Sequence, residues 1–392
     1  MGILGRLRQT RPKPIGQAAL GCLQERLPFH EPLPNGMKDM LIQVFYPAEV
    51  GSPALKEELV PLFRDEVICE FSAKRDIPLW AFRSLLGHCM QLDLPSFPAQ
   101  PDKLKKWPIV VFDSGIWGTC EMYTQFCRDL ASLGMIVIAL EHEDGSGIYA
   151  TKSGTGEKID YVDPPEGDDG DLIQRIVEFR RPFLEFRNKE LSAAMQAIKH
   201  LAAAEAPSES PLAKVLSTGD GNDLLLVGHS FGAASALFFM KGLSERGAEC
   251  PFRSALLMDL WPEPLPLDVT SFTPPVPIGM IVSTEWADKP KFLQRNLDVA
   301  KSAGKQCLAA LHIRGTLHQW ISETQLILPC WVLKKIGMMH PSANGQKPYQ
   351  VTMQAVQQLL EAFRSPQAQE QLTDNLRKLD PEAVELLSMP EA

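Results

Sequence analysis

The chain has 392 residues, 45% hydrophobic and 22% charged, an ordinary globular balance that excludes a disordered chain. Its formal net charge of −9 lacks the basic footprint of a nucleic-acid binder. With no run of about 18 apolar residues, no membrane-spanning helix is expected.

At the N-terminus, Met1 to Gly21 lacks the continuous apolar stretch of a secretory signal. Arg6, Arg8, Arg11 and Lys13 precede the first acid, Glu25. Gly2 is followed by Arg6 where a myristoylation motif needs Ser or Thr. A short transit peptide is one reading; a solvated basic arm over residues 1–15 is the simpler one. None of the eight cysteines is in a CxxC pair, so no zinc cage is expected. Several sit in apolar stretches, so a reducing, cytoplasmic setting is the simpler reading, with a single disulfide as the alternative.

Leu79, Trp80, Phe82, Leu85, Leu86 and Met90 give a helical apolar face with Arg83 opposite. The segment 79–90 would dock on a lipid surface or pack on the core. The clearest pattern begins at Trp107: Pro108 to Phe112 reads as a buried parallel strand ending in Asp113-Ser114-Gly115. A helix is predicted over 121–133 and a second buried strand over 135–140. Residues 151–171, rich in Gly and Asp, read as a surface loop. A long helix is predicted over 174–204. Leu224 to Val227 is a third strand, followed by a helix over 233–243. Further strands are predicted at 254–258, 278–282 and 308–313. Strands alternating with helices imply an α/β architecture, a mostly parallel doubly wound sheet with helices on both faces. The expected organisation is one such domain over 16–366 and a polar tail over 367–392.

Gly228-His229-Ser230-Phe231-Gly232 fits G-x-S-x-G between an apolar strand and a helix, the context of a nucleophile elbow. A Ser hydroxyl needs an adjacent base, itself held by an acid, and in this arrangement the order is Ser, acid, His. Of the three later histidines, His312 lies inside a strand and His340 far along the chain; His318, in the loop after 308–313, is the expected base. Asp259, directly after the apolar run 254–258, is the expected acid; Asp268 and Asp288 lie in polar or Pro-rich loops. Two backbone N–H groups should stabilise the oxyanion: Phe231, after the nucleophile, and Ile116, in the turn after strand 108–112. Trp117, Trp261 and Trp320 lie within two residues of this machinery and, with Gln319, are expected to line a substrate pocket. No metal and no cofactor is expected.

Together these segments resemble the plasma and intracellular type II platelet-activating factor acetylhydrolases. The resemblance runs in order from about residue 15 to 340, through Gly21-Cys22, Val44 to Pro47, Pro108 to Phe112, Glu141-His142 with Asp144, Arg187-Asn188, Gly228 to Gly232, Asp259-Leu260-Trp261, and Ile313 to Gly315 with His318-Gln319. It implies an α/β-hydrolase fold and calcium-independent hydrolysis of short or oxidised sn-2 acyl chains of phospholipids. The family's nucleophile, acid and base fall on Ser230, Asp259 and His318, and its oxyanion donors on Ile116 and Phe231. One departure stands out: the family usually reads His-Gly-Leu-Gly at the oxyanion turn, where this chain reads Ser114-Gly115-Ile116-Trp117. The acidic loop 160–171 looks like an insertion. The resemblance implies a phospholipid substrate, and a monomer is expected. The other readings are a broad carboxylesterase, polyester-type substrates included, and a catalytically dead lipid-binding protein, against which the complete triad argues.

Overall fold

A computed structural model describes residues 13–51, 60–86, 98–100, 106–164, 172–203 and 210–388. Residues 1–12 of the basic arm, 87–90 of the predicted apolar helix and 165–171 of the acidic loop lie outside them.

In chain order the elements begin with strands β1 (Leu20–Pro28) and β2 (Asp39–Pro47) and helices α1 (Asp65–Arg75) and α2 (Leu79–Leu86). β3 (Trp107–Asp113), α3 (Thr124–Ser132) and β4 (Ile136–Leu140) follow, then the short strands β5 (Ala150–Thr151) and β6 (Lys158–Ile159). Next come α4 (Leu172–Ala203), α5 (Pro211–Leu216), β7 (Gly219–His229), α6 (Phe231–Glu245), β8 (Ser254–Met258) and β9 (Ile278–Ser283). α7 (Thr284–Ala287), α8 (Pro290–Ala303), β10 (Cys307–Ile313), α9 (Glu323–Ile327) and α10 (Cys330–Lys335) lead to α11 (Lys347–Arg364), α12 (Pro366–Arg377) and β11 (Val384–Ser388).

These elements gather into two compact units, with α4 and β7 each contributing to both. The first comprises Met1–Val162, Phe186–Leu224 and Ser322–Pro329. Its strands β1, β2 and β4 pair antiparallel, and β4 pairs β3 in parallel. Ile109, Val110 and Val111 of β3 and Ile136, Val137 and Ile138 of β4 are fully buried, which is why each reads as an unbroken apolar run. Phe126 and Leu130 of α3 are buried one turn apart.

The second unit comprises Asp163–Glu185, Leu225–Ile321 and Cys330–Ala392. Here β7, β8, β9 and β10 follow one another in parallel, and β11 adds antiparallel to β10. All five residues of β8 are buried; each large aliphatic side chain so removed from water contributes roughly 1.5–3 kcal/mol. The parallel strands carry the turns that matter at their C-terminal ends: Ser230 after β7, Asp259 after β8, Ser283 closing β9, and the loop holding His318 after β10.

Beyond Pro366 the chain does more than the polar composition suggests. Leu372 and Leu376 are buried on one face of α12, and β11 then joins the sheet. At the start of the predicted surface loop, β5 and β6 pair into a small hairpin over 150–159.

Candidate active site

Ser230 sits where β7 turns into α6, with backbone angles φ 57° and ψ −118°, a region non-glycine residues rarely enter. Its N–H donates to the carbonyl of Met258 at 2.9 Å, and its own carbonyl accepts from the N–H of Trp261 at 3.3 Å. The turn closes only because its flanks lack bulk: a Cβ on Gly228 would lie 2.4 Å from the carbonyl oxygen of Gly232. Ala233 and Ala234 are fully buried.

His318 Nε2 lies 2.7 Å from Ser230 Oγ, and His318 Nδ1 lies 2.5 Å from Asp259 Oδ2. Asp259 is wholly buried, and donors meet both of its carboxylate oxygens. The N–H of Ser283 donates to Oδ1 at 2.6 Å and the Ser283 hydroxyl to Oδ2 at 2.7 Å. A buried carboxylate needs such donors, and Asp259 has them on both oxygens. Asp259 also has a positive φ of 47°. Its carbonyl accepts from Trp286 Nε1 at 3.1 Å, which ties the strained turn to α7.

The loop carrying His318 is pinned to the start of α7. Gly315 N–H donates to Thr284 Oγ1 at 2.8 Å, Thr284 N–H to Thr316 Oγ1 at 3.1 Å, and His318 N–H to Glu285 Oε2 at 2.9 Å. Burial acts to raise the Glu285 carboxyl, but that N–H and the Lys289 ammonium, 3.0 Å away, outweigh it and hold the carboxyl below its usual range. His229, inside the G-x-S-x-G motif, is buried and lies beside His318; its Nε2 donates to the His318 carbonyl at 2.9 Å. Burial, then the neighbouring His318, drives its imidazole well below the ordinary histidine range, so it is neutral. Ser283, Glu285, Trp286 and His229 were not singled out from sequence. The signal available was position: His229 and Ser283 close the parallel strands β7 and β9, and Glu285 and Trp286 follow β9, at the ends where Ser230 and Asp259 stand.

The other sequence-predicted residues fall as follows. Phe231 is buried and opens α6, at the positive end of its dipole. The Trp261 ring lies 6.0 Å from that of Phe231 and is half-buried. Trp320 is buried, its ring edge towards His229 and its Nε1 donating to Thr352 Oγ1 at 2.9 Å. Gln319 is half-buried beside His318. His312 bonds to Thr284 Oγ1 and to Glu385, as befits a structural residue.

Ile116 and Trp117 belong to the first unit, in the turn 114–118 after β3. Trp117 has φ 62°, and its N–H donates to the Ser146 carbonyl at 2.8 Å. Its ring lies edge-on to Tyr161, with the Arg75 guanidinium 5.0 Å from its centre. Beneath the turn lies a buried charge network. Arg187 donates to Asp113 at 2.5 Å, to the Ser114 carbonyl at 2.7 Å, to Asp144 at 2.9 Å and to Ser146 at 2.6 Å. His142 bridges Asp113 and Glu190 at 3.0 and 2.7 Å. Burial and Arg187 act to lower its imidazole, but the two carboxylates prevail and carry it up to about 9.

Among the described residues, His229, Asp259 and His318 bring donor atoms within 4.8 Å of one another, close enough for a metal ion. Those atoms are already engaged: His229 Nε2 by a carbonyl, and the other two residues by each other and by Ser230 and Ser283.

A serine on a strand–turn–helix elbow of a mostly parallel sheet, with a histidine in reach of its hydroxyl, marks the α/β-hydrolases, and this chain is a serine ester hydrolase of that class. Within the class, residues 6–384 match the profile of the family described as platelet-activating factor acetylhydrolase, isoform II, and the chain belongs to that family. It is 24% identical over 376 residues to a Schizosaccharomyces pombe protein named "Putative phospholipase A2", covering 82% of this chain and 84% of that one. It is 28% identical over 233 residues to the platelet-activating factor acetylhydrolase of Canis lupus familiaris, covering 55% of this chain and 48% of that protein. The chain thus spans most of the yeast relative and about half the length of the canine one. A ferulic acid esterase from Streptomyces cinnamoneus shares the fold, with a TM-score of 0.58 at 16% identity, covering 96% of this chain and 98% of that one.

Proposed function

We propose that this protein is a calcium-independent serine esterase that removes short or oxidised sn-2 acyl chains from phospholipids. The observation that carries the reading is the hydrogen-bonded relay from Ser230 Oγ through His318 to Asp259. Ser230 Oγ attacks the sn-2 carbonyl carbon while His318 Nε2 takes its proton, and Asp259 stabilises the imidazolium. The oxyanion accepts a hydrogen bond from the Phe231 N–H, and Ile116 is our candidate for the second donor. The tetrahedral intermediate collapses as His318 protonates the departing lysophospholipid oxygen. Water, deprotonated by His318, then cleaves the acyl-serine and restores the enzyme.

Family membership supports the phospholipid class. The three relay residues belong to one unit of one chain, so chemistry by a monomer suffices. Cys120, Cys127 and Cys307 are buried thiols outside any disulfide, which suits a reducing, cytoplasmic setting. Trp80 on α2 is 69% exposed, which supports peripheral contact with a lipid surface. No described helix is long and apolar enough to cross a membrane.

The test is kcat/KM across a phosphocholine series from acetyl to palmitoyl, with monomeric and micellar substrate separated, in EDTA and in calcium. We expect a decline with unoxidised chain length and no response to EDTA. Each methylene buried in an open groove would gain roughly 0.8 kcal/mol, so a steady rise to long chains would indicate a general phospholipase or lipase. Activity on simple aryl esters without activity on the phospholipids would indicate a broad carboxylesterase.

A further inference from the structure

Two aromatic rings stack on the His318 imidazole. The Trp286 ring lies with its centre 4.2 Å away and its plane inclined by 30°; the His229 ring lies 4.7 Å away, inclined by 29°. Neither is loosely placed. Trp286 is 8% exposed, Asp259's carbonyl accepts its indole N–H, and Phe292 packs on it with ring centres 4.6 Å apart. His229 is fully buried and bonded to the His318 carbonyl.

We propose that Trp286 is a positioning residue for the reaction, its π face stabilising the imidazolium that forms on His318 when Ser230 gives up its proton. The inference rests on the reading of His318 as the base. The proton transfer puts a full positive charge on a ring whose Nδ1 faces Asp259 and whose Nε2 faces Ser230. An indole face is the most favourable of the aromatic faces for a cation, and the effect grows when water is kept away. His229 serves the same end differently: its neutral imidazole packs on His318 without adding a competing charge. The other charged groups close by are Glu285, which accepts the His318 N–H, and Lys289, whose ammonium is 4.3 Å from the centre of the Trp286 ring and paired with Glu285. The pair offsets its own charge, so the indole face adds to the stabilisation that Asp259 gives the imidazolium.

The test compares Trp286→Phe and Trp286→Leu with the unaltered full-length protein, by kcat and kcat/KM from pH 4.5 to 9 on a soluble aryl acetate. Both variants lose the indole N–H bond to Asp259, but only Phe keeps a π face. With Leu, the acid limb of kcat/KM should move to lower pH by about 0.5–1 unit and the plateau kcat should fall roughly 3- to 30-fold. Phe should recover part of both effects. A folded Leu variant with an unmoved acid limb would overturn the proposal, as would equal shifts in Phe and Leu. Labelling by a fluorophosphonate, with Ser230→Ala as the control, separates the two levels. If Ser230→Ala keeps its activity, the relay and this inference fail together. If labelling is lost as expected but the limb stays put, only the role of Trp286 falls.

Discussion

Arg187 reaches 74 residues back to Asp113 and donates at the same time to the carbonyl of Ser114, so one buried guanidinium holds the end of β3 and the first residue of its turn. Arg187→Met would strip Asp144 of its cation and leave the buried Asp113 with His142 alone. Breaking such a network from one side typically costs about 3–5 kcal/mol. We expect a large loss in urea midpoint or Tm, and only partial recovery in Arg187→Lys, which cannot make four directed bonds at once.

The same network gives stability a pH dependence. The folded His142 imidazole stands at about 9, against roughly 6.5 in an unfolded chain. A raised value means that the folded state holds the extra proton, so this contribution is complete below about pH 6.5 and is lost as pH rises through about 9. Tm should therefore fall across that window, and His142→Gln should flatten the fall. An unchanged slope in the variant would contradict the assignment.

Ser283→Ala removes the hydroxyl donor to Asp259 but keeps the backbone one. A hydrogen bond to a charged group is worth about 1.5–3 kcal/mol, so kcat should drop roughly 10- to 100-fold with little change in KM. The hydroxyl also caps α7, accepting from the N–H of Trp286 at 3.2 Å. A Tm measurement beside the kinetics keeps that loss separate from the chemical one.

Ser230→Ala should abolish ester hydrolysis, by a factor on the order of 10⁶ in a comparable triad, while near-UV circular dichroism stays unchanged. His318→Ala should be similarly inactive. His312→Ala should retain turnover and lose only some stability, since His312 ties β10 to Thr284 and Glu385. Inactivity of a folded His312→Ala with activity in His318→Ala would reverse the two roles.

Much of this was legible because parallel strands buried on both faces announce themselves as unbroken apolar runs, and their C-terminal ends mark where polar residues gather. Leu224 to Val227 and Leu256 to Met258 locate Ser230 and Asp259 in this way. β1 and β2 gave a weaker signal, because Gln24, Glu25 and Arg26 interrupt the first and only its antiparallel partner fixes it. The supporting shell was illegible for a different reason. Trp286 meets His318, and His142 meets Glu190, only once the chain has folded, and no local pattern encodes a partner tens of residues away. The departure at Ser114 to Trp117 was visible as a string of letters; the positive φ of Trp117 and the grip of Arg187 on the turn were not.

The polar C-terminal stretch has a role that bears on how the protein is handled. β11 covers the outer edge of β10, and Glu385 pairs there with His312 and Arg314. Trimming the chain after α12 would strip that cover and present a row of unpaired backbone donors and acceptors along an apolar strand. Such an open border invites another copy to pair with it. A shortened protein would thus fail first by self-association, visible as light scattering at concentrations where the full chain stays clear, before any change at Ser230 could be assayed.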